Sequence, residues 1–390
     1  MQSFARVAAL VIAVNLLAAC SETADDPFRP DVTGVPIGAD PISLKWQEEA
    51  RNLVSANRSS TLAAGRIYAA LSMAQYQAVK NADAAPSNDG TGRSKFEARR
   101  GAVAGASARV LSFFYPAAAS DLAGKINQYG AEGPGQIHPA FEQGVAIGQA
   151  AGDVLIEHVK TDGFTTPWTG TVPTGPGYWI PTSLPPAGAT LGGVKPYFMT
   201  SGSQFRSAAP PAFGSAAFNT DLAEVVTLST NRTPAQLATA QYWDSPLGTP
   251  TPIGLWNMTA ADYVKSNKLD EREATRVFAL VQATMFDALI GCWEAKYHYW
   301  MLRPSQANAA VSLAFPNPNF PAYPSGHSCV SSAAGRVLTH FFPQHAGELV
   351  AKVQEAGMSR IYAGIHYRFD VTAGQQLGRN VADWAIAHAQ

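Results

Sequence analysis

Apolar positions recur three and four residues apart through most of the chain, and sustained alternation with period two is missing. Helical periodicity with few breakers predicts helices over 44–57, 61–81, 94–114 and 141–160. In the second half the same reading gives 222–229, 233–243, 271–302, 328–342, 347–364 and 371–389. The pattern is all-α. Between the halves lies 165–215, crowded with Pro, Gly and Ser. A connection of that length in a compact protein usually serves as a functional wall or lid.

The two halves repeat one another. Ala64-Gly65-Arg66-Ile67-Tyr68-Ala69 aligns without gaps on Ala274-Thr275-Arg276-Val277-Phe278-Ala279, an offset of 210. The stretch from Val103 through Arg109 to Pro116 aligns on Val330 through Arg336 to Pro343, an offset of 227. Gly144, Gly148, Asp153 and His158 then align on Gly374, Gly378, Asp383 and His388, an offset of 230. The expected fold is two packed helical bundles related by internal duplication. Extra residues fall mainly between the first and second matched helices of the second copy.

Composition adds limits. The 390 residues carry 28 Lys+Arg against 29 Asp+Glu, a net charge of −1, which gives no ground for a nucleic-acid partner. Arg6 precedes an apolar run ending Leu17-Ala18-Ala19-Cys20, which reads as an export signal and resembles a bacterial lipoprotein box. That box implies an exported, periplasmic or membrane-anchored protein, attached only through a lipid on Cys20. No later run reads as long and apolar enough to span a bilayer. The expected organisation is a signal peptide over 1–20, a tether over 21–41, a scaffold bundle over 42–164, the connection over 165–215 and a functional bundle over 216–390. Cys292 and Cys329 read as small buried hydrophobes.

Three clusters in the second copy carry chemistry. In the first, Lys296 and Arg303 stand seven residues apart, two helical turns, so both cations should lie on one helical face, and Pro304 follows as a helix stop. The second is Phe320-Pro321-Ala322-Tyr323-Pro324-Ser325-Gly326-His327, a Pro-rich approach opening into a helix whose free N–H groups suit an anion. The third runs from Ser359-Arg360 to His366 and Asp370. Singly, these read as a solvated face, an ordinary helix cap and a core histidine. Together they offer three cations, a capped helix start and two histidines, a set that suits a tetrahedral oxyanion with an axial ligand or nucleophile and a separate acid/base.

The order K-x6-R-P, then P-S-G-H, then S-R-x5-H-x3-D resembles the signature of the vanadium-dependent haloperoxidases and type 2 phosphatidic acid phosphatases. The words around the two histidines, with Trp293 one turn before Lys296, look more like the haloperoxidase branch. The resemblance implies vanadate as cofactor, with phosphate in its place in the phosphatase alternative. It implies His366 as axial vanadium ligand or phosphatase nucleophile, and His327 as acid/base. Lys296, Arg303 and Arg360 would bind equatorial oxygens, with Lys296 polarising a bound peroxide. Ser325 and Gly326 would donate further hydrogen bonds, and Asp370 would orient His366. Trp243-Asp244 resembles a family segment whose aspartate pairs with the site arginine. Phe320 stands where chloroperoxidase-like relatives carry phenylalanine, so either halide tuning or a structural aromatic role fits it.

The implied reaction is oxidation of halide by hydrogen peroxide to a hypohalous acid equivalent, with an organic acceptor left open. A periplasmic phosphatase on the same scaffold is the alternative, and a non-catalytic oxyanion-binding lipoprotein is the third reading. A homo-oligomer is compatible with all three. His298, about 200° round a helix from Lys296, should face away from the oxyanion. His138, His158, His340, His345 and His388 show no metal-like pairing. In the first copy Ala98-Arg99-Arg100 aligns on Ser325-Gly326-His327, so one oxyanion site per chain is expected.

Overall fold

The computed structural model describes residues 40–86, 92–131 and 139–389. The export segment, Cys20 and the tether up to residue 39 lie outside these, as does His138. Among the described residues there are thirteen α-helices, three short 3-10 turns and only isolated β-bridges.

The first bundle comprises α1 (Ile42–Ala56), α2 (Thr61–Ala84), α3 (Gly92–Phe114), α4 (Ala119–Ala131) and α5 (Pro139–Thr161). After the connection come α6 (Ala216–Thr230), α7 (Pro234–Asp244), α8 (Thr251–Ser266) and α9 (Glu271–Tyr299). The short α10 (Pro304–Ala307), then α11 (Gly326–Phe341), α12 (Ala346–Tyr362) and α13 (Arg368–His388) complete the chain. Three helices, α4, α8 and the four-residue α10, go beyond the sequence expectation.

The duplication is visible in contacts. Arg109 pairs with Asp153 at 2.5 Å between α3 and α5, and the aligned Arg336 pairs with Asp383 at 2.7 Å between α11 and α13. A Cβ on Gly144 or Gly148 would lie 2.1 or 2.0 Å from the carbonyl oxygens of Ala98 and Ala102. The aligned Gly374 and Gly378 meet the carbonyls of Ser325 and Cys329 at 2.6 and 2.2 Å. In each copy glycine therefore allows two helix backbones to touch. At Ser325 this contact presses α13 against the start of α11.

Helices α2 and α9 pack against each other between the bundles, burying Tyr68, Leu71, Phe278 and Phe286. Asp270 and Glu273 cap α9 reciprocally, at 2.9 and 3.0 Å. Contrary to the sequence expectation, α9 is long and apolar enough to cross a membrane, but it lies buried as a core helix.

Helix α9 also ends earlier than expected. Trp300 takes a left-handed conformation, φ +52°, and the chain turns extended. Trp179 N–H donates to the Trp300 carbonyl at 2.7 Å, and Leu302 N–H to the Gly177 carbonyl at 3.1 Å. Pairing with the connecting segment replaces the last helical turn. Lys296 and Arg303 are thus not on one helical face, and Pro304 opens α10 rather than stopping α9.

The connection runs across the mouth of the second bundle and is fastened to it. The buried Asp287 carboxylate of α9 accepts from the N–H groups of Tyr197, Phe198 and Met199 at 2.8, 2.7 and 3.0 Å. Gly188, at φ +72°, admits the chain where a Cβ would lie 2.5 Å from Leu62 and 2.6 Å from the Trp293 indole.

Candidate active site

The loop after α12 and the start of α13 set the first histidine. His366 precedes α13 by two residues, and Asp370 lies in the first turn of that helix. The carboxylate of Asp370 accepts from His366 Nδ1 at 2.8 Å and from the Tyr367 N–H at 3.1 Å. A carboxylate on Nδ1 assigns the proton there and leaves Nε2 as the ring's acceptor nitrogen. Arg303 Nη1 lies 3.1 Å from that Nε2. Burial, then the nearby cations Arg303 and Lys296, hold the His366 pKa well below the ordinary histidine range, so the ring is neutral.

His327 is the second residue of α11. Its Nε2 donates to the Trp243 carbonyl at 2.7 Å, which leaves Nδ1 as the basic nitrogen. Burial and Arg360 keep this ring neutral as well. The two imidazoles are thus neutral in opposite tautomers.

The cations differ in availability. Arg360 donates to the Ala240 carbonyl at 2.6 Å and to Ser359 Oγ at 2.9 Å. Its Nη1 is buried with no hydrogen-bond partner, 3.8 Å from Asp244. An unpaired guanidinium N–H is costly, and an oxyanion supplies the missing acceptor. Arg303 spends its other donors on the carbonyls of Phe320 and Ile365, at 2.8 to 3.1 Å. Lys296 is saturated, donating to the carbonyls of Pro321, Ala322 and Pro324 at 2.9, 2.8 and 2.5 Å. Its ammonium therefore shapes the Pro-rich approach to α11. Burial pushes Lys296 down to about 8, Arg303 to about 10 and Arg360 to about 9.

Ser325 is the N-cap of α11, its Oγ accepting from the Ser328 N–H at 3.4 Å. Gly326 follows at the first helical position, under the Trp293 ring, where a Cβ would sit at 3.1 to 3.2 Å. Trp293 is fixed by its Nε1 donating to the Ala187 carbonyl at 3.1 Å and by Phe320 at a centroid distance of 4.9 Å. Phe320 in turn lies under both Lys296 and Arg303, at 5.1 and 5.0 Å.

A cavity of about 710 Å³ opens onto Gly326, His327, Arg360, His366, Asp244, Trp293 and Phe320. Lys296, Arg303, Ser325 and Asp370 lie buried behind that layer. His298 is exposed, away from the cavity. His345 stacks on Tyr263 and His388 on Trp384, remote from it. Sequence reasoning did not find the carbonyls of Trp243, Ala240 and Ile365, since a main-chain acceptor leaves no mark on residue type. It also missed Ser60, Thr61 and Leu62, the contribution of the first bundle to the cavity wall.

In the first copy the aligned cations are already neutralised. Arg99 pairs with Asp83 at 2.5 Å, and Arg100 pairs with Glu97 at 2.8 Å and donates to the Tyr129 carbonyl at 2.9 Å. Among the described residues no three His, Cys, Asp or Glu side chains converge as a cage for a metal cation. The side chains that gather at the cavity are instead two neutral histidines and the buried cations Lys296, Arg303 and Arg360. Cys292 and Cys329 are free, buried thiols beneath it.

A family model described as the VCPO second helical-bundle domain matches residues 344–390, which include Arg360, His366 and Asp370. The crystal structure of a bacterial vanadium-dependent iodoperoxidase superposes with a TM-score of 0.74 at 23% identity, covering 90% of this chain and 97% of that one. A bacterial vanadium-dependent chloroperoxidase in its apo form gives 0.70 at 16% identity, over 89% of this chain and 97% of that one. The non-specific acid phosphatase of Salmonella typhi is 40% identical over 57 residues, 15% of this chain and 23% of that protein. The acid phosphatase of Zymomonas mobilis subsp. mobilis is 38% identical over 53 residues, 14% of this chain and 20% of that protein. The chain thus spans less than a quarter of the length of these phosphatases. The superfamily resemblance read from the three motifs holds, and the fold is that of the vanadium haloperoxidases.

Proposed function

We propose that this chain is a vanadate-dependent haloperoxidase that uses hydrogen peroxide to oxidise halide to a hypohalous acid equivalent. The observation that carries the reading is the pair of neutral histidines in opposite tautomers beside an unpaired buried Arg360 Nη1. A phosphate-shaped anion fits these donors, with His366 Nε2 as its protein ligand. Arg360 and Arg303 balance its charge, and the α11 N-terminus at Gly326 donates to it. Vanadate, when bound, supplies Lewis-acid activation of peroxide. His327 Nδ1 is placed to take the peroxide proton, and Asp370 keeps His366 from turning its protonated nitrogen inward. Lys296 holds the segment of Pro321 to Pro324 in place and adds positive charge from behind. The haloperoxidase likeness over most of the chain favours this branch.

A phosphatase reading draws on the 40% identity to the Salmonella typhi enzyme over 57 residues. There His366 Nε2 would attack phosphorus and His327 would protonate the leaving group. We place the enzyme outside the cytoplasm, tethered through Cys20, on the strength of its lipoprotein-like box. A Cys20→Ser form that fractionates like the parent would remove that placement. The reaction itself is tested by titrating apo protein with orthovanadate. His366→Ala should lose vanadate binding and halide oxidation together. His327→Ala should keep vanadate and slow turnover by about 10²–10⁴-fold. Full vanadate binding by His366→Ala would overturn the assignment.

A further inference from the structure

The cavity is far larger than an oxyanion, a halide and a peroxide need. It measures about 710 Å³, inside the roughly 300–1,000 Å³ range of pockets that bury drug-sized ligands. A water-sized species occupies only about 30 Å³.

Beyond the oxyanion site its wall is apolar, with Leu62, Trp168, Pro185, Pro186, Leu247 and Leu289 among its lining. These residues come from four separate parts of the chain: α2, the connection, the α7–α8 loop and α9. The wall is built, not incidental. The connection is fastened by Asp287, and the Ala187 carbonyl accepts from both Trp293 Nε1 and Tyr297 Oη, at 3.1 and 2.7 Å. Among the described residues, the only acidic or basic side chains besides histidine that line the cavity are Asp244 and Arg360, which face each other at 3.8 Å. No charge is left over to pair with an ionic ligand outside the oxyanion site, and burying an unpaired charge there would be costly.

We infer that this cavity binds a second substrate beside the oxyanion site, a neutral and largely apolar organic molecule about the size of two fused rings. Its lining runs from the exposed Leu247 and half-buried Trp168 to His327 and the fully buried Arg360. As the organic acceptor, this inference rests on the haloperoxidase reading. A ring carbon takes the halogen of the hypohalous acid, the C–X bond forms as the O–X bond breaks, and the displaced ring proton leaves with hydroxide as water.

The test uses 2-naphthol as the probe and measures its binding to the full-length protein saturated with orthophosphate, by calorimetry, so that vanadate plays no part. Saturable binding at one per chain is expected, weakened about tenfold by Trp168→Ala, the size of a lost aromatic contact. Leu247→Gln, at a side chain 51% exposed and therefore safe for folding, should weaken it as well. Absence of saturable binding, or equal affinity in parent and both variants, would overturn the inference. Halide oxidation by the vanadate-loaded parent is measured separately. If it is missing while 2-naphthol binds as described, the haloperoxidase reading fails and the site stands. If it is present while 2-naphthol does not bind, the reverse holds.

Discussion

The carboxylate of Asp370 lies 2.8 Å from Nδ1 of His366, and that contact decides which ring nitrogen faces Arg303 and the cavity. Asp370 itself is pushed up to about 7 by burial, with Lys296 and the Tyr367 N–H opposing. Removing the carboxylate frees the ring to rotate and to exchange tautomers. Asp370→Ala should therefore lower orthovanadate affinity by about 10–100-fold, the usual cost of losing the partner behind a histidine ligand. Calorimetric titration of the apo variant checks it. A parent-like affinity would show that the hydrogen bond does not orient the ligand.

Arg360 tests the anion cradle. Arg360→Lys keeps a positive charge but loses the planar fork that leaves Nη1 unpaired while the other nitrogens bind Ala240 and Ser359. Orthophosphate affinity should fall about tenfold, equivalent to ~1.4 kcal/mol. An unchanged dissociation constant would mean that Nη1 is not a ligand.

Asp287 connects the core to the cavity wall through three N–H acceptor contacts. Its replacement by alanine leaves those donors without a partner and should cost about 2 kcal/mol or more of stability. Amide exchange should accelerate at Tyr197, Phe198 and Met199 before it does so in α9. Uniform protection across both would contradict the fastening role.

Stability against pH should carry the signature of Glu271. This carboxylate caps α1, accepting from the Ile42 and Ser43 N–H groups at 2.7 and 3.0 Å. Burial pushes it from 4.5 up to about 7, against the opposing hydrogen bonds. The folded state therefore holds a proton that the unfolded chain releases between about pH 4.5 and 7, and stability falls as pH rises through that window. The contribution is on the order of 3 kcal/mol. Glu271→Gln should flatten the curve there in chemical denaturation. A variant curve parallel to the parent's would refute it.

Much of this was legible in the sequence. The order of helices and the three clusters followed from periodicity and spacing. The Arg and Asp positions matched between halves proved to be the ion pairs Arg109–Asp153 and Arg336–Asp383. Two of the three unexpected helices, α8 and α4, had signals that the duplication could have supplied. Trp46, Ala50, Val54 and Asn57, in and just after α1, recur 210 residues later as Trp256, Ala260, Val264 and Asn267, in and just after α8. Likewise α4 begins 227 residues before α12. The end of α9 was not legible, because it is set by pairing with Gly177 and Trp179, more than a hundred residues away. For the same reason spacing suggested a shared helical face for Lys296 and Arg303, whereas loop geometry brings them together.

The most direct test of the central claim is a side-by-side assay of one apo preparation, with and without orthovanadate. Halide oxidation by hydrogen peroxide and phosphomonoester hydrolysis are followed across pH. Halide oxidation should appear only on vanadate loading, saturate at one equivalent per chain, and be inhibited by phosphate competing for the same site. Efficient phosphomonoester turnover by the vanadate-free protein, with no halide oxidation after loading at any pH, would contradict the account.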